Sequence, residues 1–288
     1  MTFKKCIVNR CVILFVFVKM SEDIIENKKD GSQEANQGKG ASVVSFCKTI
    51  FEAVKNFATK FLKQTHKEGY IFVAISTCIT IFVSFFSSFF GLLFFFVTLW
   101  VIAFFRDPVR VIPKSKNVVV SGADGVISSI KIAKAPADLG LGDGDMQKIS
   151  VFLSVFNVHV NKFPVSGIVE KVKYHPGKFL SAELDKSSDE NERNSLVIKN
   201  QTDGEKIVVV QIAGLIAKRI VCFTKEGESA NIGTNFGLIR FGSRVDVYLP
   251  KSYKILVQEG QTCIGGETVL AAFGNSIHLS IGENEIVG

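Results

Sequence analysis

The stretch Phe241-Gly242-Ser243-Arg244-Val245-Asp246-Val247-Tyr248-Leu249-Pro250 decides how this chain is read. Val245, Val247 and Leu249 alternate with Arg244, Asp246 and Tyr248, which is the period of a strand with one face in a core. Gly242 opens it. Glycine reaches backbone angles closed to other residues, so the peptide bond before Ser243 can sit in a strained turn. A serine hydroxyl held against the carbonyl carbon of the preceding residue can attack it. A Gly-Ser pair at a strand start is ordinarily no more than a turn followed by a surface serine, so the surrounding sequence must carry the argument.

Working outward from this strand, short Val- and Ile-rich runs alternate with Gly, Asn, Asp and Pro turns. They fall at 117–120, 126–132, 149–155, 165–172, 196–199, 207–212, 219–223 and 237–241. That texture predicts a mainly β domain with little helix over residues 106–288. Gln201-Thr202-Asp203-Gly204 is a hairpin-turn signal between two of the runs. The segment from Lys254 to Ala272 has the pattern of a lipoyl- or biotinyl-type module. It lacks the lysine that would carry such a cofactor, and reads as a structural hairpin.

Upstream, residues 70–105 are almost unbroken apolar sequence, which a soluble core helix does not need. The run is too long for one straight span of about 20 residues and just long enough for two short arms. Ser84, Ser87, Ser88 and Gly91 mark a reversal in the middle. Lys67 precedes the run, and Arg106, Arg110, Lys114 and Lys116 follow it. Basic residues at both ends predict a membrane hairpin with both ends, and the β domain, on the cytoplasmic side of the cell membrane. A shallow re-entrant insertion and a single tilted helix are the alternatives.

Residues 46–69 place Ile50, Phe51, Val54, Phe57, Ala58, Phe61 and Leu62 at helical spacing among lysines, a basic amphipathic helix suited to a membrane interface. Residues 1–45 are largely polar and predicted to be mostly disordered. Within them Lys4, Lys5 and Arg10 precede the apolar run Cys11–Val18, as in a signal peptide. Lys19 follows with no small-residue cleavage pattern, and Met20 is an alternative start.

Composition narrows the partners. The net charge of +7 points to an anionic partner. The basic residues flank the apolar block instead of forming a patch interleaved with aromatics, which favours an anionic lipid surface over nucleic acid. The six cysteines are scattered with no C-x-x-C pair, so neither a zinc site nor a disulfide framework is indicated.

Several blocks in order carry a resemblance: Phe104-Phe105-Arg106-Asp107-Pro108, Gly122-Ala123-Asp124-Gly125-Val126, Ser154-Val155-Phe156-Asn157-Val158-His159-Val160-Asn161, Tyr174-His175-Pro176-Gly177-Lys178-Phe179, Leu184-Asp185-Lys186, Asn191-Glu192-Arg193-Asn194, Gln211-Ile212-Ala213-Gly214-Leu215-Ile216 and the Gly-Ser strand. Over roughly residues 70 to 250 the chain resembles the phosphatidylserine decarboxylase family in its shorter bacterial branch. The resemblance implies a lyase made as a zymogen. Ser243 would attack the Gly242 carbonyl, the resulting ester would eliminate, and the chain would end as a β chain, 1–242, and an α chain, 243–288, that remain associated. The α chain would begin with a pyruvoyl group derived from Ser243. That group would form a Schiff base with phosphatidylserine, release CO2 and yield phosphatidylethanolamine for phospholipid biosynthesis, with no metal. The family also suggests a homo-oligomer of such pairs.

The same resemblance assigns His159 as the base that activates Ser243 and Asp124 as its partner, in the manner of a serine-protease triad. The longer branch carries a second histidine three residues on; here Lys162 stands at that position, so proton transfer in cutting and in turnover both fall to His159. Arg193 is a candidate clamp for the substrate's phosphate or carboxylate, since a guanidinium binds such groups in two-point fashion. His175, before Pro176-Gly177, is a weaker candidate. Two other readings compete: a decarboxylase of another serine phospholipid, such as archaetidylserine, and a membrane-anchored β-domain adaptor without enzymatic activity.

Overall fold

A computed structural model describes residues 64–177, 191–214, 219–240 and 243–274, with the backbone of 284–287. The N-terminal extension and residues 46–63 of the expected amphipathic helix lie outside the described residues. The chain divides into two compact units, Met1–Ala103 and Phe104–Gly288.

In the first unit a short 3-10 turn, Lys67–Gly69, leads into α1 (Tyr70–Ser84), and α2 (Ser88–Phe104) begins after a three-residue link. The reversal falls among the serines where the sequence placed it. Gly91 is required there, because a Cβ at that position would lie 2.4 Å from Ser84 Oγ. The seam between the helices is polar: Thr98 Oγ1 lies 2.7 Å from Ser76 Oγ and 2.9 Å from Thr80 Oγ1. Hydroxyls of this kind also bond carbonyls one turn back, as Thr98 does to Phe94, so they present no unsatisfied polar group to an apolar surround. The outward faces are apolar and open, with Phe86 and Phe89 more than 70% exposed. By length and composition, Lys67–Ser84 is long and apolar enough to cross a membrane.

The second unit is mainly β. Its strands are β1 (Arg110–Pro113), β2 (Val118–Val120), β3 (Gly125–Lys134), β4 (Asp145–Leu153), β5 (Val160–Lys162), β6 (Gly167–His175), β7 (Arg193–Asn200), β8 (Lys206–Ala213), β9 (Arg219–Cys222), β10 (Ser229–Ala230), β11 (Asn235–Arg240), β12 (Ser243–Leu249), β13 (Lys254–Ile255), β14 (Thr262–Cys263), β15 (Val269–Ala272) and β16 (Asn284–Val287). An eight-stranded antiparallel sheet runs β10-β6-β7-β8-β12-β4-β3-β14. Two three-stranded sheets, β5-β11-β9 and β13-β15-β2, and the pair β1-β16 complete the unit.

Each Val/Ile run read from the sequence contains or overlaps a strand. The Gln201–Gly204 turn joins β7 to β8, with Gly204 at φ 75°. The tail closes as a hairpin, Lys254 opposite Ala272, and its middle leaves to pair Thr262 with Val126 of β3.

Strand β12 is interior, flanked by β4 and β8, and every one of its residues is buried. Alternation sends its side chains to two different cores. Val245, Val247 and Leu249 join the main core with Ile149, Val151, Leu153, Val209 and Leu196. Tyr248 joins a smaller cluster on the opposite face, roofed by Ala135 and Leu139. That second face also holds the pair Arg244 Nε–Asp246 Oδ1 at 2.9 Å, with Lys148 Nζ 4.0 Å from the same carboxylate.

Candidate active site

Ser243 is the first residue of β12. It pairs with Leu153 of β4 on one side and Ala213 of β8 on the other. Its side chain shares the main-core face with Val245. It is fully buried, and its Oγ makes no hydrogen bond with any described residue. A buried hydroxyl ordinarily finds a partner, so an uncommitted one in a densely packed strand is a chemical signal.

His159 is positioned by a tight turn. Asn157 Oδ1 accepts hydrogen bonds from the Ser154 backbone N–H and hydroxyl, both 2.8 Å. The turn brings the Asn157 carbonyl to 2.9 Å from His159 Nδ1. A carbonyl can only accept, so Nδ1 carries the proton and Nε2 is left as a bare acceptor. Nε2 is buried and has no partner among the described residues. The Phe104 ring packs over the imidazole with centroids 4.1 Å apart. Burial drives the imidazole pKa down to about 4, against the opposing pull of the Asn157 carbonyl, and Arg106 adds to the fall. At neutral pH the ring is an uncharged base.

Strand geometry aims the two groups at one interior. The His159 carbonyl accepts from Ile239 N, which extends the β5-β11 ladder by one residue. His159 and Asn161 therefore point the same way. Asn161 is tied to Gln211, whose Nε2 donates to Asn161 Oδ1 at 2.8 Å. Gln211 stands on β8 two residues from Ala213, on the face that carries Ser243.

Asp124 is held elsewhere. Arg110 Nη2 donates to both of its carboxylate oxygens at 2.8 Å, and the Gly265 N–H donates to Oδ1 at 2.8 Å. No hydrogen bond joins Asp124 to His159: the backbone carbonyl of Asn157 takes the place the sequence reading gave to the carboxylate. The Asp124 segment still borders the site, since a Cβ on Gly122 would lie 3.5 Å from Val245 Cγ1.

Around it is a cluster of charges. Lys162 Nζ donates to Asn235 Oδ1 at 2.8 Å and lies 3.5 Å from Asp107. Its pKa is lowered chiefly by burial, with Asp107 opposing. Arg106 Nη2 donates to the Phe156 carbonyl at 2.8 Å.

Because Arg110 and Asp124 are nearly enclosed, losing one leaves the other's charge uncompensated. Arg110→Met is expected to destabilise the folded chain by about 3 kcal/mol, read as a lower urea midpoint. Adding Asp124→Leu is expected to restore part of the loss.

Arg193 and His175 do not meet Ser243. They are register partners at the ends of β7 and β6, and Arg193 pairs with Ile212, which pairs with Arg244. That parity places them on the sheet face opposite the Ser243 side chain. There both face Asp138, His175 Nε2 at 2.5 Å and Arg193 Nη2 at 4.0 Å from its oxygens.

Ser243 thus heads an interior strand as a buried, uncommitted hydroxyl, and His159 is a buried neutral imidazole with a bare nitrogen. The family model of phosphatidylserine decarboxylase matches residues 97–271. The chain is similar to the phosphatidylserine decarboxylase proenzyme of Rickettsia felis, 50% identical over 212 residues, 74% of this chain and 91% of the relative. Those of Azorhizobium caulinodans and Xanthobacter autotrophicus are each 52% identical, over 214 and 211 residues, covering 74% and 73% of this chain and 91% and 90% of theirs. The chain belongs to the phosphatidylserine decarboxylase family.

Proposed function

We propose that this chain is a membrane-bound phosphatidylserine decarboxylase that cuts itself between Gly242 and Ser243 and makes its pyruvoyl group from Ser243. One observation carries the reading: the Ser243 hydroxyl and His159 Nε2 are both buried and both without a hydrogen-bond partner among the described residues, and strand register turns them toward one interior. A prosthetic group made from the chain itself needs that combination, a nucleophile not spent on a structural hydrogen bond and a base that is neutral at working pH.

His159 Nε2 takes the hydroxyl proton as Ser243 attacks. The Asn157 carbonyl holds the ring in the required tautomer, the task a carboxylate performs in a serine-protease triad. Asp124 fixes Arg110 and the Gly265 amide at the edge of the site. The pyruvoyl ketone supplies the electron sink that loss of CO2 from an amino acid requires. During turnover His159 is placed to return a proton to the substrate's α-carbon. Burial of the serine in a closed interior also keeps water from the reacting centre.

The substrate is a diacyl lipid, and the open apolar faces of α1 and α2 fit a role in holding the chain at the bilayer. Lysines and arginines at both ends of the hairpin favour the cytoplasmic side of the cell membrane and attract anionic headgroups, at about 1 kcal/mol each near the surface. Association of the paired α and β chains into a homo-oligomer belongs to the same reading.

The test uses detergent-extracted protein. Denaturing mass spectrometry is expected to find two fragments, the smaller blocked at its N-terminus and carrying a carbonyl that reacts with hydroxylamine. Phosphatidylserine vesicles are expected to yield phosphatidylethanolamine and CO2, and vesicles of an ether-linked serine lipid measure how far the headgroup alone is recognised. An active preparation whose chain is intact would sink the proposal.

A further inference from the structure

The Ser243 interior contains a third buried, uncommitted polar atom that the reading above leaves unused. Asn161 is fully buried, and its Nδ2 has no partner among the described residues. The side chain is nevertheless fixed. Asn194 Nδ2 donates to Gln211 Oε1 at 2.9 Å, and Gln211 Nε2 donates to Asn161 Oδ1 at 2.8 Å. All three residues are buried. Each amide donates to the next, and in this orientation the row ends on an Asn161 N–H pair with no acceptor among the described residues. The row has cleared room for itself: a Cβ on Gly237 would lie 2.6 Å from Gln211 Nε2.

The placement is specific. Gln211 and Ala213 stand on one face of β8, about 7 Å apart along the strand, and Ala213 is the register partner of Ser243. Asn161 projects from β5 on the same side as His159. Donor, base and nucleophile are therefore turned to one interior: an N–H pair with no acceptor, a nitrogen with no donor, and a hydroxyl with neither, among the described residues.

We propose that Asn161 is a catalytic residue of self-cutting, the donor that stabilises the oxyanion formed when Ser243 attacks the peptide carbonyl preceding it. Gln211 and Asn194 are positioning residues that hold its amide in place. In the step, Ser243 Oγ bonds to the carbonyl carbon, the hydroxyl proton passes to His159 Nε2, and the π electrons move onto the carbonyl oxygen. Asn161 Nδ2 donates to that oxygen. Collapse of the adduct breaks the C–N bond, the proton held by His159 passes to the departing nitrogen, and an ester remains. A donor preorganised in a buried site acts where it is strongest, since no water competes and nothing has to reorient.

The proposal rests on the self-cutting reading, and Ser243→Ala separates the two. Full-length Asn161→Leu and Asn161→Asp are made in parallel with the parent, and the uncut fraction is followed over time by denaturing mass spectrometry. Asn161→Leu removes the donor at similar volume; Asn161→Asp keeps an acceptor for Gln211 and removes the donor. Both are expected to cut at least about 100-fold more slowly, while melting cooperatively within a few degrees of the Ser243→Ala precursor. Their plateau rates should fall while the acidic limb set by His159 stays in place, which disturbance of the histidine would not leave unmoved. Cutting within threefold of the parent by either folded variant overturns the proposal. Loss of cooperative melting in both overturns it as well, by making Asn161 a structural residue. Cutting of Ser243→Ala would instead sink the self-cutting reading itself.

Discussion

Ser243→Ala is expected to leave the chain as one 31.6 kDa polypeptide, with no smaller fragment and no hydroxylamine-reactive carbonyl, and to abolish decarboxylation. The effect should be complete because, among the described residues, the other buried serines of this sheet lie on its opposite face. The buried hydroxyls close to β12 in the sheet, Ser150 and Ser195, lie level with Asp246, on the opposite face: Ser150 pairs with Asp246, and Ser195 pairs with Val210, which also pairs with Asp246. Fold is expected to be unaffected, because Ser243 Oγ makes no hydrogen bond whose loss would cost stability. Far-UV circular dichroism and the urea midpoint check that half of the expectation; denaturing mass spectrometry checks the other. Ser243→Thr, which keeps a hydroxyl, should cut measurably but slowly, since a β-branched side chain is restricted at χ1.

His159→Gln carries the next largest effect. Loss of the base is expected to slow cutting by about 10²- to 10⁴-fold. The pH dependence is the sharper diagnostic. The base works only when neutral, and burial lowers its pKa to about 4. The acidic limb of the cutting rate should therefore fall near pH 4, well below the 6.5 of an exposed imidazole. Stability follows the same linkage. The unfolded chain protonates His159 below pH 6.5, whereas the folded chain resists until about 4. Stability is thus undiminished by this group above 6.5 and declines as pH drops from 6.5 toward 4, by about 3 kcal/mol in total. Urea midpoints of the uncut Ser243→Ala precursor at pH 7 and 4.5, with and without His159→Gln, measure it. The substitution should remove most of that decline. A limb that stays near 6.5 would mean the imidazole is solvated and the geometry of the base is different.

Much of the β unit was legible because its longer strands are Val- and Ile-rich runs, alternating in β4 and β12 and continuous in β7 and β8, set between turn residues. The strands that escaped notice, such as β1, β5, β10 and β14, are two to four residues long and offer no period to read. Ser243 and His159, singled out by the family resemblance, are both buried, on strand faces turned to one interior. Arg193 and His175 lie on the sheet face opposite Ser243, which no local pattern reveals. Which face they occupy depends on register across β8 to β12, and a shift of one residue reverses it. The partner of His159 was equally hidden: it is a main-chain carbonyl fixed by an Asn157–Ser154 turn, and no side chain in the motif announces it. Arg110 as the mate of Asp124 lies fourteen positions away in the chain, with nothing at either position to mark the pair.

The location of β12 also bears on what a cut at the proposed position, just ahead of it, would do to the two halves. The downstream piece is stitched in by seven residue pairs to β4 and six to β8. It returns through β14 to β3 and through β15 to β2. Releasing it would mean unzipping the middle of the sheet. On that reading the two polypeptides of a finished molecule would be siblings from a single translation product, not reshuffled among copies, and each catalyst would keep the flaws or virtues of the one precursor that made it.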